Sequence, residues 1–356
     1  MIRLSSIQRL RAVAALSVTL FHACQWSGQD FAVGAAGVDL FFIISGFVLW
    51  NASEGRAVSP GRFLIARAAR VAPLYWLATL AVAVLVPWRP QAMPVAQFEP
   101  LHLVLSLLFI PHNDPAGDAF PLLVSGWTLT YEAFFYLAFA LALAAPLQRR
   151  LQVLCGLVSV MALVGLIYHQ TYTFGANPLL LEFLIGVGLA RLWSKGDLRG
   201  AGAGWGWVIL GLGVLMFAGL QLGSVRSDFW RPLIWAPPAA LILAGALVLE
   251  AAGASGPDRV GRPLDAIGDA SYSLYICQLP VVCVLKWLTP ELSPWIRVPL
   301  GFALALGAGL ICYRLIERPL ASALGRHRRA RTLHRHGLGL RPPEQEALAA
   351  VDADLA

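Results

Sequence analysis

Residues 34–50 read GAAGVDLFFIISGFVLW, and Asp39 is the single charged residue in the run. A mostly apolar stretch of about 17–25 residues crosses the hydrocarbon core of a bilayer as a helix. The run is continuous, whereas the strands of a membrane barrel alternate in polarity over segments of about 10 residues. In lipid a helix satisfies its own backbone, so this stretch reads as a membrane-spanning helix.

The same pattern recurs on both sides of it. Comparable runs lie at 9–27, 71–88, 126–146, 151–169, 177–193, 205–222, 232–250, 268–288 and 296–316. The expected fold is all-α: a polytopic membrane bundle of about ten transmembrane helices with both termini cytoplasmic. The run Leu101–Ile110 is too short to cross and is expected to be re-entrant or interfacial. The opening arginines and the apolar run behind them resemble a signal peptide. A second apolar segment follows at once, so the first is expected to stay as a span.

Composition agrees. The 356 residues are 58% apolar and 13% charged, where soluble domains run near 45–50% and about 25%. The net charge is +7, but the basic residues sit between apolar runs and form no nucleic-acid patch. With the N-terminus inside, 22 of the 27 lysines and arginines fall in cytoplasmic segments, as the positive-inside rule requires. Two domains are expected: an integral-membrane unit at 1–320, and a cytoplasmic tail at 321–356, basic and then acidic, without order of its own. The five cysteines lie in or beside apolar runs without CxxC spacing, so neither a disulfide framework nor a metal site is expected.

Ionisable groups inside spans are costly and usually face a cavity or a partner. Arg11 and His22 share a face of the first span, about 16 Å apart in height. Asp39 enters from the outside on the next span. The short connection between the two spans suggests that Asp39 and His22 lie at one depth, where a carboxylate can orient an imidazole. Glu132, in the run GWTLTYE at 126–132, also enters from the outside. Three titratable groups are thus expected to converge in the outer half. Glu182 is a weaker candidate of the same kind. Arg67 and Arg70 close the cytoplasmic loop 51–70 and suit the phosphates of a nucleotide-bearing donor.

Together these segments resemble the acyltransferase-3 family of integral-membrane acyltransferases. Arg11 and His22 match its Arg–ten residues–His signature, and the run from Gly37 to Phe47 matches its second motif. Arg67, Arg70, Pro73 and Tyr75-Trp76 fit its arginine motif, and Trp127 with Glu132 fits a later one. Ser271-Tyr272-Ser273-Leu274-Tyr275 and Glu317-Arg318-Pro319 complete the series. The lead-in Gly34-Ala35-Ala36-Gly37 and Asn177-Pro178 are closest to the exopolysaccharide-production branch. In one departure Gln278 stands where many members carry histidine.

The resemblance implies O-acylation of an extracytoplasmic or lipid-linked glycan at the bacterial inner membrane. Acyl-CoA, in the first place acetyl-CoA, is then a co-substrate rather than a bound cofactor. Arg11, Arg67 and Arg70 would hold its phosphates, and His22 would be the general base, oriented by Asp39. Glu132 would share the proton transfer or bind the sugar. The expected partners are membrane lipid, the donor and the glycan, with no nucleic acid. The competing reading is a transporter of lipid or sugar in which the same groups relay protons.

Overall fold

The computed structural model describes residues 4–167, 177–223, 230–254 and 258–323. The expected tail at 321–356 lies outside the described residues from 324 onward. Among the described residues there is no strand; the protein is an all-α polytopic bundle. Its helices are α1 (Ser5–Trp26), α2 (Gly37–Ser53), α3 (Pro60–Trp88), α4 (Pro100–Leu107), α5 (Trp127–Ala144), α6 (Arg150–Ile167) and α7 (Leu180–Lys195). They continue with α8 (Ala203–Leu222), α9 (Arg231–Ile234), α10 (Ala236–Ala251), α11 (Asp258–Asp269), α12 (Ser271–Leu288) and α13 (Pro294–Cys312).

All ten expected segments are helical over most of their described residues, with 168–169 lying outside the described residues, and seven of them have the length and apolarity to cross a bilayer. The central helix is α2, with 67% of its spanning window buried, while α8 buries only 11% of its own. The side chains that α8 exposes, Trp205, Trp207, Val208, Leu212 and Leu215 among them, are apolar because their solvent is lipid.

Without a hydrophobic drive between helices in lipid, close packing needs small residues. A β-carbon on Gly186 of α7 would collide with the Ile43 carbonyl of α2, and one on Gly46 with the Phe183 carbonyl of α7. Gly213 and Gly245 bring α8 and α10 together in the same manner, against Pro238 and Leu210. Aromatic side chains seal the layer beside α2: Phe183 stacks on Phe42 at 4.7 Å and on Phe135 at 4.2 Å.

Three features depart from the sequence reading. First, α3 begins at Pro60, where proline at the first turn suits a helix start. Arg67 and Arg70 therefore lie inside the helix rather than in the loop before it. Second, the polar segment 258–269 forms a helix that lies on α1. Gly268 packs on the Gln8 backbone, and Arg9 meets Asp265 at 3.5 Å. A search for apolar runs passes over such an amphipathic element.

Third, the connection between α1 and α2 does not end at the surface. A 3-10 turn at Ala32–Ala36 descends along α1, until a β-carbon on Gly37 would strike the Ala14 carbonyl. α2 thus starts beside Ala14 and Val18, below His22. The short run at 101–110 behaves as expected of a segment too brief to cross. It forms the eight-residue α4, anchored to α3 by Tyr75 Oη donating to the Ser106 carbonyl at 3.1 Å and Trp76 Nε1 donating to Leu107 at 2.7 Å.

Candidate active site

The fold gathers the three predicted arginines. Arg11 projects from the second turn of α1, where its Nε and Nη2 donate to Ser271 Oγ at 3.2 and 3.0 Å. The charges of Arg70, Glu317, Asp269 and Glu132 all act on it. Arg67 is 8% exposed and lies beside Tyr136, Arg70 and Glu132. Its Nε has no hydrogen-bond partner among the described residues. Glu132 reaches this chamber from α5, accepting from Ser45 Oγ at 3.2 Å and from Tyr136 Oη in a short hydrogen bond. Tyr272 donates to the Val71 carbonyl at 2.6 Å and feels Glu132, Glu317 and Arg70. Ser273 hydrogen-bonds Glu317. Helices α1, α2, α3, α5 and α12 thus converge on one charged chamber.

Asp39 belongs to a different group. Its carboxylate takes Arg231 side-on, with Nε at 2.9 and 3.1 Å and Nη2 at 2.7 Å. Nη2 also donates to the Ala35 carbonyl at 2.6 Å. The guanidinium lies 4.9 Å from the Trp235 ring centre and 6.0 Å from that of Trp127. Glu182, fully buried, is within electrostatic reach of both Asp39 and Arg231. Tyr275 lies within electrostatic reach of both Arg231 and Glu132. It accepts a hydrogen bond from Thr128 Oγ1 at 3.0 Å.

His22 stands apart from both. Its Nδ1 lies 3.1 Å from the Val18 carbonyl one turn back. A carbonyl only accepts, so Nδ1 carries the proton in this contact and Nε2 keeps a lone pair. Nε2 has no hydrogen-bond partner among the described residues. The Phe21 ring packs edge-on at 4.8 Å.

The expected convergence of His22, Asp39 and Glu132 is therefore not what the fold builds. Asp39 is engaged by Arg231, Glu132 by the arginine chamber, and His22 is oriented by its own helix. The cause is the descending turn at 32–36, which sets α2 lower than a plain surface hairpin would.

Sequence reasoning passed over Arg231, because it sits at the edge of an apolar run and reads as an interfacial charge. It also gave no role to Tyr136, although Tyr136 follows Glu132 by four residues and so shares its helix face. Gln278 is fully buried on α12, and neither end of its amide has a partner among the described residues.

The structure is a polytopic helical bundle with three arginines gathered below an imidazole, and the comparisons define its class, a membrane acyltransferase. The chain matches the acyltransferase domain over residues 4–314, and it belongs to the acyltransferase-3 family. It is 34% identical to the exopolysaccharide production protein ExoZ of Rhizobium meliloti (strain 1021), over 87% of this chain and 96% of that one. It is 28% identical to the putative membrane-bound transacylase BcsY of Komagataeibacter xylinus, over 89% of this chain and 82% of the relative. Identity to the peptidoglycan O-acetyltransferase OatA of Listeria monocytogenes is 23%, over 88% of this chain and 55% of the relative. No solved structure matches.

Proposed function

We propose that the protein transfers an acyl group, in the first place acetyl, from cytoplasmic acyl-CoA to a hydroxyl of an extracytoplasmic or lipid-linked glycan in the bacterial inner membrane. An exopolysaccharide is the favoured acceptor, because a relative matched over 96% of its own length is named for exopolysaccharide production and another is named a peptidoglycan O-acetyltransferase.

One observation carries the reading: Arg11, Arg67 and Arg70 meet in one chamber, about 16 Å below His22 on the same helix. Guanidinium groups bind phosphate through paired donors. The phosphates of the donor would rest at this chamber, and its extended thioester arm would reach upward along α1. His22 Nε2 takes the proton of the sugar hydroxyl as its oxygen attacks the thioester carbon. The tetrahedral intermediate collapses, the carbon–sulfur bond breaks, and the departing thiolate recovers the proton from the imidazolium. The Val18 carbonyl takes the orienting role first given to Asp39. Glu132 and Tyr136 hold the arginines in place.

The test is release of free thiol when membranes containing the protein receive acetyl-CoA and glycan, with mass analysis of surface polysaccharide from cells with and without the chain. An acyl group present only with the chain supports the reading. Solute movement without thioester consumption supports the transporter instead.

A further inference from the structure

A mostly apolar cavity lies one aromatic pair away from the arginine chamber. The ends of α2, α5, α6 and α7 enclose a cavity of about 290 Å³ on the face where α1 begins. Trp50 and Phe139 supply its aromatic walls, with Leu143 and Leu147 beside them. Trp50 is 7% exposed, and its indole N–H has no acceptor among the described residues. Glu54 also lines the space, and its Oε2 is buried without a donor. Arg191 stands at the rim. Arg150, the other cation there, is committed to backbone carbonyls, Arg56 at 2.6 Å and Leu143 at 3.3 Å.

Two residues on the cavity wall thus each hold an unmatched buried polar atom, a donor on Trp50 and an acceptor on Glu54, and a ligand that supplies both partners would satisfy them. We propose that this cavity receives the adenine base of the nucleotide-bearing donor, an assignment that rests on the acyl-CoA reading above. An adenine presents an exocyclic amino group to Glu54 and a ring nitrogen to the Trp50 N–H, and its flat faces suit Phe139 and the leucines. A lone phosphate is disfavoured, because Glu54 lines the same space. The volume sits at the small end for ligand pockets, near 300 Å³, which suits a base and not a whole donor. The cavity is also next to the arginines: Phe139 stacks on Phe63 at 5.2 Å, and the Arg67 guanidinium lies 6.0 Å from the Phe63 ring centre. Arg191 at the rim is placed for a phosphate on the attached ribose.

The test uses the full chain in lipid vesicles and two readouts. Equilibrium binding of adenosine 3′,5′-bisphosphate reports the slot without turnover. The KM for acetyl-CoA is compared with that for acetyl-4′-phosphopantetheine, which lacks the adenosine. Trp50→Phe and Glu54→Gln should each weaken bisphosphate binding roughly tenfold and raise KM for acetyl-CoA alone. Arg191→Gln, on the half-buried rim, keeps the test open if the deeper variants reduce folded protein. It should weaken the bisphosphate and spare adenosine. Unchanged binding in all three variants overturns the assignment, and so does an equal loss with both donors. Displacement of the bisphosphate by phosphatidylethanolamine assigns the cavity to a lipid head group and also overturns it. Saturable nucleotide binding that the variants lose, without thiol release from either donor, removes the acyl-CoA reading and leaves the slot standing. Thiol release without nucleotide binding does the reverse.

Discussion

The arginine chamber and the Asp39–Arg231 clasp are built from the same residue types with opposite accounts. In the clasp, one guanidinium meets one carboxylate through three contacts, takes a carbonyl as well, and is covered by two tryptophans. In the chamber, Arg11 feels Glu317, Asp269 and Glu132, Arg67 feels Glu132, and Arg67 Nε is buried without a hydrogen-bond partner among the described residues. A closed ion pair in low dielectric holds helices in register. A cluster that keeps an unmatched buried donor is the one suited to a ligand. Motif membership alone does not separate the two, because Asp39 and Arg67 both lie in segments that match the family.

The largest effect sits above both regions. His22→Ala should lower thiol release by about 10²–10⁴-fold, the range for loss of a general base, while the protein still inserts. Full activity in that variant would remove the proposed chemistry.

The clasp should show the next largest effect. Removing one partner of a buried pair leaves an uncompensated charge and costs about 3–5 kcal/mol. Asp39→Ala and Arg231→Ala should therefore lower the thermal midpoint and the folded yield. The neutral pair Asp39→Asn with Arg231→Met should recover much of that loss. An Asp39→Asn protein that is as stable as wild type yet inactive would move the clasp from architecture to catalysis.

The chamber should answer in the opposite way. Arg67→Ala is expected to raise KM for acyl-CoA about 10–100-fold, the loss of a charge-assisted contact, with little change in thermal stability. A destabilised protein with normal KM would make the chamber a second clasp. Gly186→Ala, which touches neither region, should cost about 1–3 kcal/mol by forcing α2 away from α7, measured by thermal unfolding in detergent.

The smallest effect lies in the connection over α3. His102 Nδ1 and His112 Nε2 are 2.6 Å apart, and His112 Nδ1 lies 2.7 Å from the Ile110 carbonyl. Burial, and then the neighbouring His112, hold the His102 imidazole below its ordinary value of 6.5, against a weaker opposing pull from Asp114. The unfolded segment thus binds a proton more readily than the folded one, so the contribution is present above pH 6.5 and is lost as pH falls below it. Proteolysis at residues 89–125 should quicken between pH 7 and pH 5, and His102→Gln should abolish that dependence.

Much of the candidate site was legible from spacing. Arg11 and His22 lie on one face because eleven residues make about three turns, and Arg67 and Arg70 share a face at three. Glu132 was legible as an ionisable group inside a span, whereas its half-buried place beside Ser45, Tyr136 and Arg67 was not. The run at 34–50 marked a spanning helix, yet nothing in it states how deep that helix begins.

Hydrophobicity along the chain determined the class: a continuous apolar run in a chain with so few charges has one stable home, a helix in lipid. The partners of the buried charges were decided only by the tertiary structure. A helix dictates which of its residues share a face, but its height and rotation against a neighbour come from packing. Here the turn at 32–36 and the contact of Gly37 with Ala14 lower α2 beneath His22. That displacement alone hands Asp39 to Arg231 and leaves the imidazole to the carbonyl of its own helix.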